Sequence, residues 1–187
     1  LSLLQEWVRH YPTSYHAHLL LGGYWERAAG RIRTQDGGEF VADDRWMGAG
    51  LARDLAIASY LRALPLHQQP AFALFRIFRL SCYLGEPQWL TALAAGVVPA
   101  DYSQREAEVD PALWAAGVQR LRDEGGSELA IIPAALPPSL PLRSEQEQHN
   151  SKLYWLQLTL AARPDFYSIL SSWVYFLYPR WGGSCLL

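Results

Sequence analysis

Pro70-Ala71-Phe72-Ala73-Leu74-Phe75-Arg76-Ile77-Phe78-Arg79-Leu80-Ser81-Cys82-Tyr83-Leu84-Gly85 is the stretch that decides the fold. Pro70 has a fixed φ and no N–H donor, so it opens a helix. Phe72, Phe75, Ile77, Phe78 and Leu80 then place apolar groups on nearly every side of a 3.6-residue spiral. That pattern predicts a helix central to a core, with Gly85 as its C-terminal cap.

Working outward, helices follow on both sides. Upstream, Asp43 or Asp44 caps a helix to about Ala63, ended by Pro65. Ser14 caps another, Tyr15 to about Arg33. Its internal Gly22-Gly23 pair costs roughly 1 kcal/mol per glycine and so predicts a close helix–helix approach. Leu3 to Tyr11 opens the chain with Leu4, Trp7, Val8 and Tyr11 on one face, stopped by Pro12. Downstream, Pro87 starts a short helix closed by Gly96, and Asp110-Pro111 opens a sixth that ends at Gly125-Gly126. A seventh follows the polar run Ser144 to Asn150 and reaches Ala162; Pro164 opens an eighth that ends at Pro179. Leu129 to Arg143, broken by Pro133, Pro137, Pro138 and Pro141, reads as extended or polyproline-like loop, with one short strand at Ile131-Ile132 as the alternative.

The expected class is all-α, with antiparallel helical hairpins in a tetratricopeptide-like or irregular helical bundle. It forms one helical domain over 1–187, in which 129–150 is a Pro-rich and polar connecting segment. Leu21-Gly22-x-x-Trp25 and Ala56-x-x-x-Tyr60-x-x-Ala63 match the two halves of a tetratricopeptide unit. More chain separates them than one repeat allows, which predicts one interrupted hairpin. Trp7, Phe75, Phe78, Leu80, Trp155, Leu156, Phe166, Leu170 and Trp173 are the expected core.

The 187 residues are half hydrophobic, with 8 Trp, 10 Tyr and 6 Phe, enough for one large core. A net charge of −2 without any Lys/Arg block argues against non-specific nucleic-acid binding, leaving a three-dimensional patch of scattered Arg as the only route to it. Fifteen Arg against the single Lys152 reflects a GC-rich bacterial codon usage. Cys82 and Cys185 allow one bridge at most, and Cys82 reads as a buried free thiol. No apolar run reaches the roughly 18 residues that cross a bilayer, so a cytoplasmic protein is expected. The chain begins at Leu1 without Met and reads as trimmed, which leaves a removed signal peptide or an upstream domain open.

Signatures of chemistry are sparse. His16 and His18 are two positions apart, which on a helix separates them by about 200°. They read as surface or core histidines, and no metal or cofactor is expected. His67 and His149 read as solvated. The Asp43-Asp44 pair suits a helix N-terminus better than a cation, and Glu145-x-Glu147 is similar. G-x-S-x-G, H-E-x-x-H, C-x-x-C and G-x-x-x-x-G-K-[ST] are all missing, so the protein is expected not to be an enzyme. Arg45-Trp46 and Arg180-Trp181 are interface candidates, because exposed Trp and Arg anchor interfaces; a Trp lid over the core is the alternative. Asp36, Glu39, Asp43 and Asp44 flank the polar insertion that carries Arg45 and Trp46. Surface insertions on a rigid scaffold concentrate binding residues.

The closing segment, Tyr178-Pro179-Arg180-Trp181-Gly182-Gly183-Ser184, and the opening Trp7…Pro12-x-Ser14…Ala17 resemble a bacterial family, the domain of unknown function numbered 4034. Ala28-Ala29-Gly30-Arg31 stands where that family has a Trp-containing stretch. The resemblance implies a helical protein, encoded in some bacteria near secretion-associated toxin genes. It therefore implies an immunity protein that neutralises a cognate toxin by direct binding. A helical-repeat adaptor of another bacterial assembly is the competing expectation, and an enzyme with an unrecognised site is the third.

Overall fold

The computed structural model describes residues 1–178, which form ten α-helices: α1 (Ser2–His10), α2 (Tyr15–Arg33), α3 (Asp43–Ala63), α4 (Ala71–Leu84), α5 (Gln88–Ala94), α6 (Tyr102–Ala107), α7 (Pro111–Asp123), α8 (Glu145–His149), α9 (Ser151–Ala162) and α10 (Tyr167–Phe176). Single 3-10 turns lie at Gly38–Phe40 and Leu64–Leu66, and no strand forms among the described residues. The all-α class is correct. Pro179, Arg180, Trp181 and the rest of the closing segment lie outside the described residues.

Local signals explain most helix starts. The Ser14 hydroxyl accepts the Ala17 N–H at 3.3 Å, and Asp110 accepts those of Ala112 and Leu113. Gly85 closes α4 at φ 73°, a conformation that favours glycine. Two short helices extend the expected eight. α6 is started by an Asp101/Gln104 capping box and α8 by a Ser144/Glu147 one. Asp43 and Asp44 do not cap α3: Ala42 occupies that position without a side-chain bond, and both carboxylates sit in the first turn, where the helix dipole favours them. Leu129 to Arg143 is irregular throughout, including Ile131-Ile132.

α2 and α3 form an antiparallel hairpin, with Gly22 beside Tyr60 and Ile32 beside Gly48. A Cβ on Gly22 would fall 2.5 Å from Tyr60 Cε1, so only glycine lets the helices approach this closely. Leu21, Trp25, Ala56, Tyr60 and Ala63 are all buried, so both halves of the tetratricopeptide pattern meet in this hairpin. α3, not α4, is the central helix: it packs on α2, α4 and α7. α4 buries Phe75, Ile77, Phe78 and Leu80 but leaves Phe72 and Tyr83 exposed on its other side. α9 and α10 cover α4 from beyond. Trp155 is fully buried, whereas Leu156, Phe166 and Trp173 are half-buried at the core's edge. Two expected core residues are corrected: Leu170 is 40% exposed and Trp7 is 37% exposed, because Ile169 takes the inward position on α10 and α1 packs mainly on α2 at the edge of the bundle.

Candidate binding face

The insertion between α2 and α3 folds back on its own scaffold. Its first residue, Thr34, holds φ 70°, a strained value for a side chain branched at Cβ, and its hydroxyl donates to Asp36 at 2.7 Å. Trp46 Nε1 donates to the Gly38 carbonyl, and the Arg33 guanidinium stacks 4.7 Å from the Trp46 ring centroid. Arg45 donates to the Ile32 carbonyl at 3.1 Å. Asp44 forms an ion pair with Arg120 on α7 at 2.7 Å, which holds its carboxyl below the usual carboxylate range. Four of the expected contact residues (Asp36, Asp44, Arg45, Trp46) are therefore engaged in holding this corner together. Glu39 and Asp43 are exposed, and among the described residues no hydrogen bond or ion pair engages their carboxylates.

Beside the insertion lies a pocket of about 240 Å³ between α2 and α4, lined by Glu26, Gly30, Arg33, Leu80, Tyr83 and Leu84. Sequence reasoning missed this face, although Phe72, Arg76, Arg79 and Tyr83 recur at helical spacing on α4. A Cβ on Gly30 would meet nothing, so this part of α2 leaves the pocket open. At its back, Glu26 accepts from Arg76 Nε at 2.6 Å and from the Tyr60 hydroxyl at 2.8 Å. Burial and then the Glu26 charge push the Tyr60 pKa up. Arg79 stacks against Phe75 and Tyr83, 5.9 and 5.6 Å from their centroids.

Leu84 also lines a second pocket of about 360 Å³, reached from the start of α3. Its base is built on Asp54, which is 0% exposed. Arg53 donates to Asp54 Oδ1 at 2.8 and 3.0 Å and to the Leu84 and Gly85 carbonyls. From α6, Arg105 and the Tyr102 hydroxyl donate to Oδ2 at 2.8 and 2.9 Å. Desolvation, followed by the Asp54 charge, raises the Tyr102 pKa. Two guanidiniums share one buried carboxylate. The signal was legible: Asp54 interrupts the inward stripe of Leu51, Ala58 and Leu61 on α3.

A family model described as Domain of unknown function (DUF4034) matches residues 1–186. The chain belongs to this family. No curated protein and no solved structure matches it.

What this DUF4034 chain can do chemically follows from how its polar groups are engaged. His18 is buried and hydrogen-bonded to the Pro12 carbonyl at 2.7 Å, whereas His16 is exposed, so the two point apart. Among the described residues no group of three or more His, Cys, Asp or Glu side chains converges as a metal site. Cys82 is a half-buried free thiol whose pKa burial pushes up to about 12, which keeps it protonated. None of the described helices is long and apolar enough to cross a membrane.

Proposed function

We propose that the protein is a protein-binding helical domain that grips an acidic segment of its partner along the α2–α4 face. The observation that carries this reading is the placement of Arg33 and Arg79. Arg33 lines the apolar pocket and stacks on Trp46, Arg79 stacks on Phe75 and Tyr83 and lines the neighbouring groove between α4 and α10, and no carboxylate pairs with either among the described residues. Arg and aromatic side chains on rigid elements are the usual anchors of protein interfaces. Two unpaired guanidiniums fall short of the roughly 6–10 phosphate contacts of a duplex binder, which favours a protein ligand. Glu26 and Asp54 are already engaged in ion pairs, which favours recognition over catalysis.

The family resemblance supports one form of this reading: an immunity protein that occludes a cognate bacterial toxin. An adaptor in another bacterial assembly is the other form. The test is affinity capture from the native bacterium with the wild type and with an Arg33→Glu/Arg79→Glu variant of matched helicity and melting temperature. A partner enriched by the wild type and lost by the variant is expected. Equal retention would place the interface elsewhere. Co-expression with a neighbouring toxin then separates the two forms: rescue of growth identifies an immunity protein, and failure with folded protein leaves the adaptor.

A further inference from the structure

We infer that a third cavity, between the C-terminal half of α3 and the Pro-rich segment, binds an aliphatic monocarboxylate of the fatty-acid type. It shares no lining residue with the α2–α4 pocket, so the inference does not depend on the protein-binding role. Its volume is about 390 Å³, within the roughly 300–1,000 Å³ typical of small-molecule sites. Ala58, Leu61, Arg62 and Pro65 form one wall, at the spacing that puts them on one side of a helix. Ile131 and Leu136, among prolines and Ala135, form the other.

The lining selects the ligand. Every wall residue but one is aliphatic, and none is aromatic, which suits an alkyl chain better than a planar ring. The exception is Arg62. It is the one charged residue among those that line the cavity, and no hydrogen bond or ion pair engages its guanidinium among the described residues. Arg62 is exposed, so its stem can cover apolar wall while its fork stays in water at the mouth. A carboxylate head matches that fork, and the tail behind it needs no polar partner. A smaller cavity of about 150 Å³ shares Ala58, Arg62 and Ile131. Glu128 lines only this smaller one and forms no ion pair with Arg62 among the described residues. The Pro-rich wall is also easily parted from α3. Between the Gly126 and Arg143 N–H groups, which bond to the Leu121 and Ala94 carbonyls, Leu140 to Pro137 is the one backbone–backbone hydrogen bond among the described residues. Side-chain packing alone holds the stretch against α3, so admitting a ligand breaks no backbone bond to the helix.

Calorimetric titration with octanoate tests this, with 1-octanol, octyltrimethylammonium and butyrate as probes that change the head or shorten the tail. Saturable binding of octanoate is expected, with each other probe about tenfold weaker or worse. Arg62→Gln alters an exposed, unpaired side chain and should leave folding intact. It should weaken octanoate by about tenfold and leave 1-octanol unchanged. Ala135→Phe on the exposed strap and Ala58→Leu on α3 fill the cavity from opposite walls. With circular dichroism matched to wild type, at least one should abolish binding. Three results would each overturn the proposal: no octanoate binding at millimolar ligand by folded wild-type protein, 1-octanol binding as tightly as octanoate, or octanoate binding undiminished by Arg62→Gln or by both filling variants.

Discussion

Arg143 and Glu86, 57 residues apart, meet in the interior as a two-pronged ion pair, with Arg143 Nη1 at 2.7 Å from Glu86 Oε2 and Nη2 on Oε1. Trp155 Nε1 and the Thr91 hydroxyl donate to the same carboxylate, and the guanidinium stacks 4.7 Å from the Tyr154 centroid. This pair fastens the end of the Pro-rich segment to the junction of α4 and α5 and to α9. Removing one member strands a buried charge, so Glu86→Ala should cost about 3–5 kcal/mol in chemical denaturation. Replacing both with apolar residues, Glu86→Leu/Arg143→Met, should cost clearly less than the single change. Equal costs would mean that packing, not charge pairing, holds the segment.

Gly48 on α3 lies against α7 so closely that a Cβ there would fall 2.9 Å from the Gly117 carbonyl and 2.6 Å from Arg120 Cβ. Backbone cannot give way as a flexible side chain can. Gly48→Ala should therefore lower stability by about 1–3 kcal/mol, despite alanine's better helix propensity. Gly30→Ala, whose new methyl meets nothing, should be neutral or stabilising by up to about 1 kcal/mol. Melting temperatures of the two variants check the contrast.

Phe78 and Trp155 are fully buried, whereas Leu170 is 40% exposed. Phe78→Ala and Trp155→Ala should each cost about 3–5 kcal/mol. Leu170→Ala should cost well under half of that, because much of its surface already meets water. A Leu170→Ala penalty matching that of Phe78→Ala in urea unfolding would show that α10 is more deeply packed than its exposure indicates.

Asp44 supplies an acid-sensitive increment. Its carboxyl is held below the usual range by Arg120, so the folded pKa is depressed. A depressed carboxylate adds stability above its unfolded value, about 3.9, and loses it as pH falls through the folded value. The pair is partly exposed, which limits the increment to under about 1 kcal/mol. Asp44→Asn should accordingly melt slightly lower than wild type at neutral pH and converge with it in strong acid. Glu147, lowered by its Ser144 hydrogen bonds, acts in the same direction. A gap that widens on acidification would contradict the sign.

The sequence by itself determined what depends on neighbours within a few residues. Ser14, Asp110 and Gly85 marked helix ends because capping is a matter of one turn, and Pro70 with the following aromatics marked α4 because periodicity is local. It misjudged the centre of the bundle. α3 is built of Gly48, Ala49, Ala52, Ala56 and Ala63, whose small side chains look unremarkable in a list and let three neighbours approach closely. Only the tertiary structure decided the two pockets. Their groups come from α2, α3, α4, α6 and α7, and Asp54 finds Arg105 across 51 residues. A side chain's helical phase says which residues share a stripe, but which stripe faces which depends on loop closure and on the packing of distant surfaces, and neither is encoded within any single turn of helix.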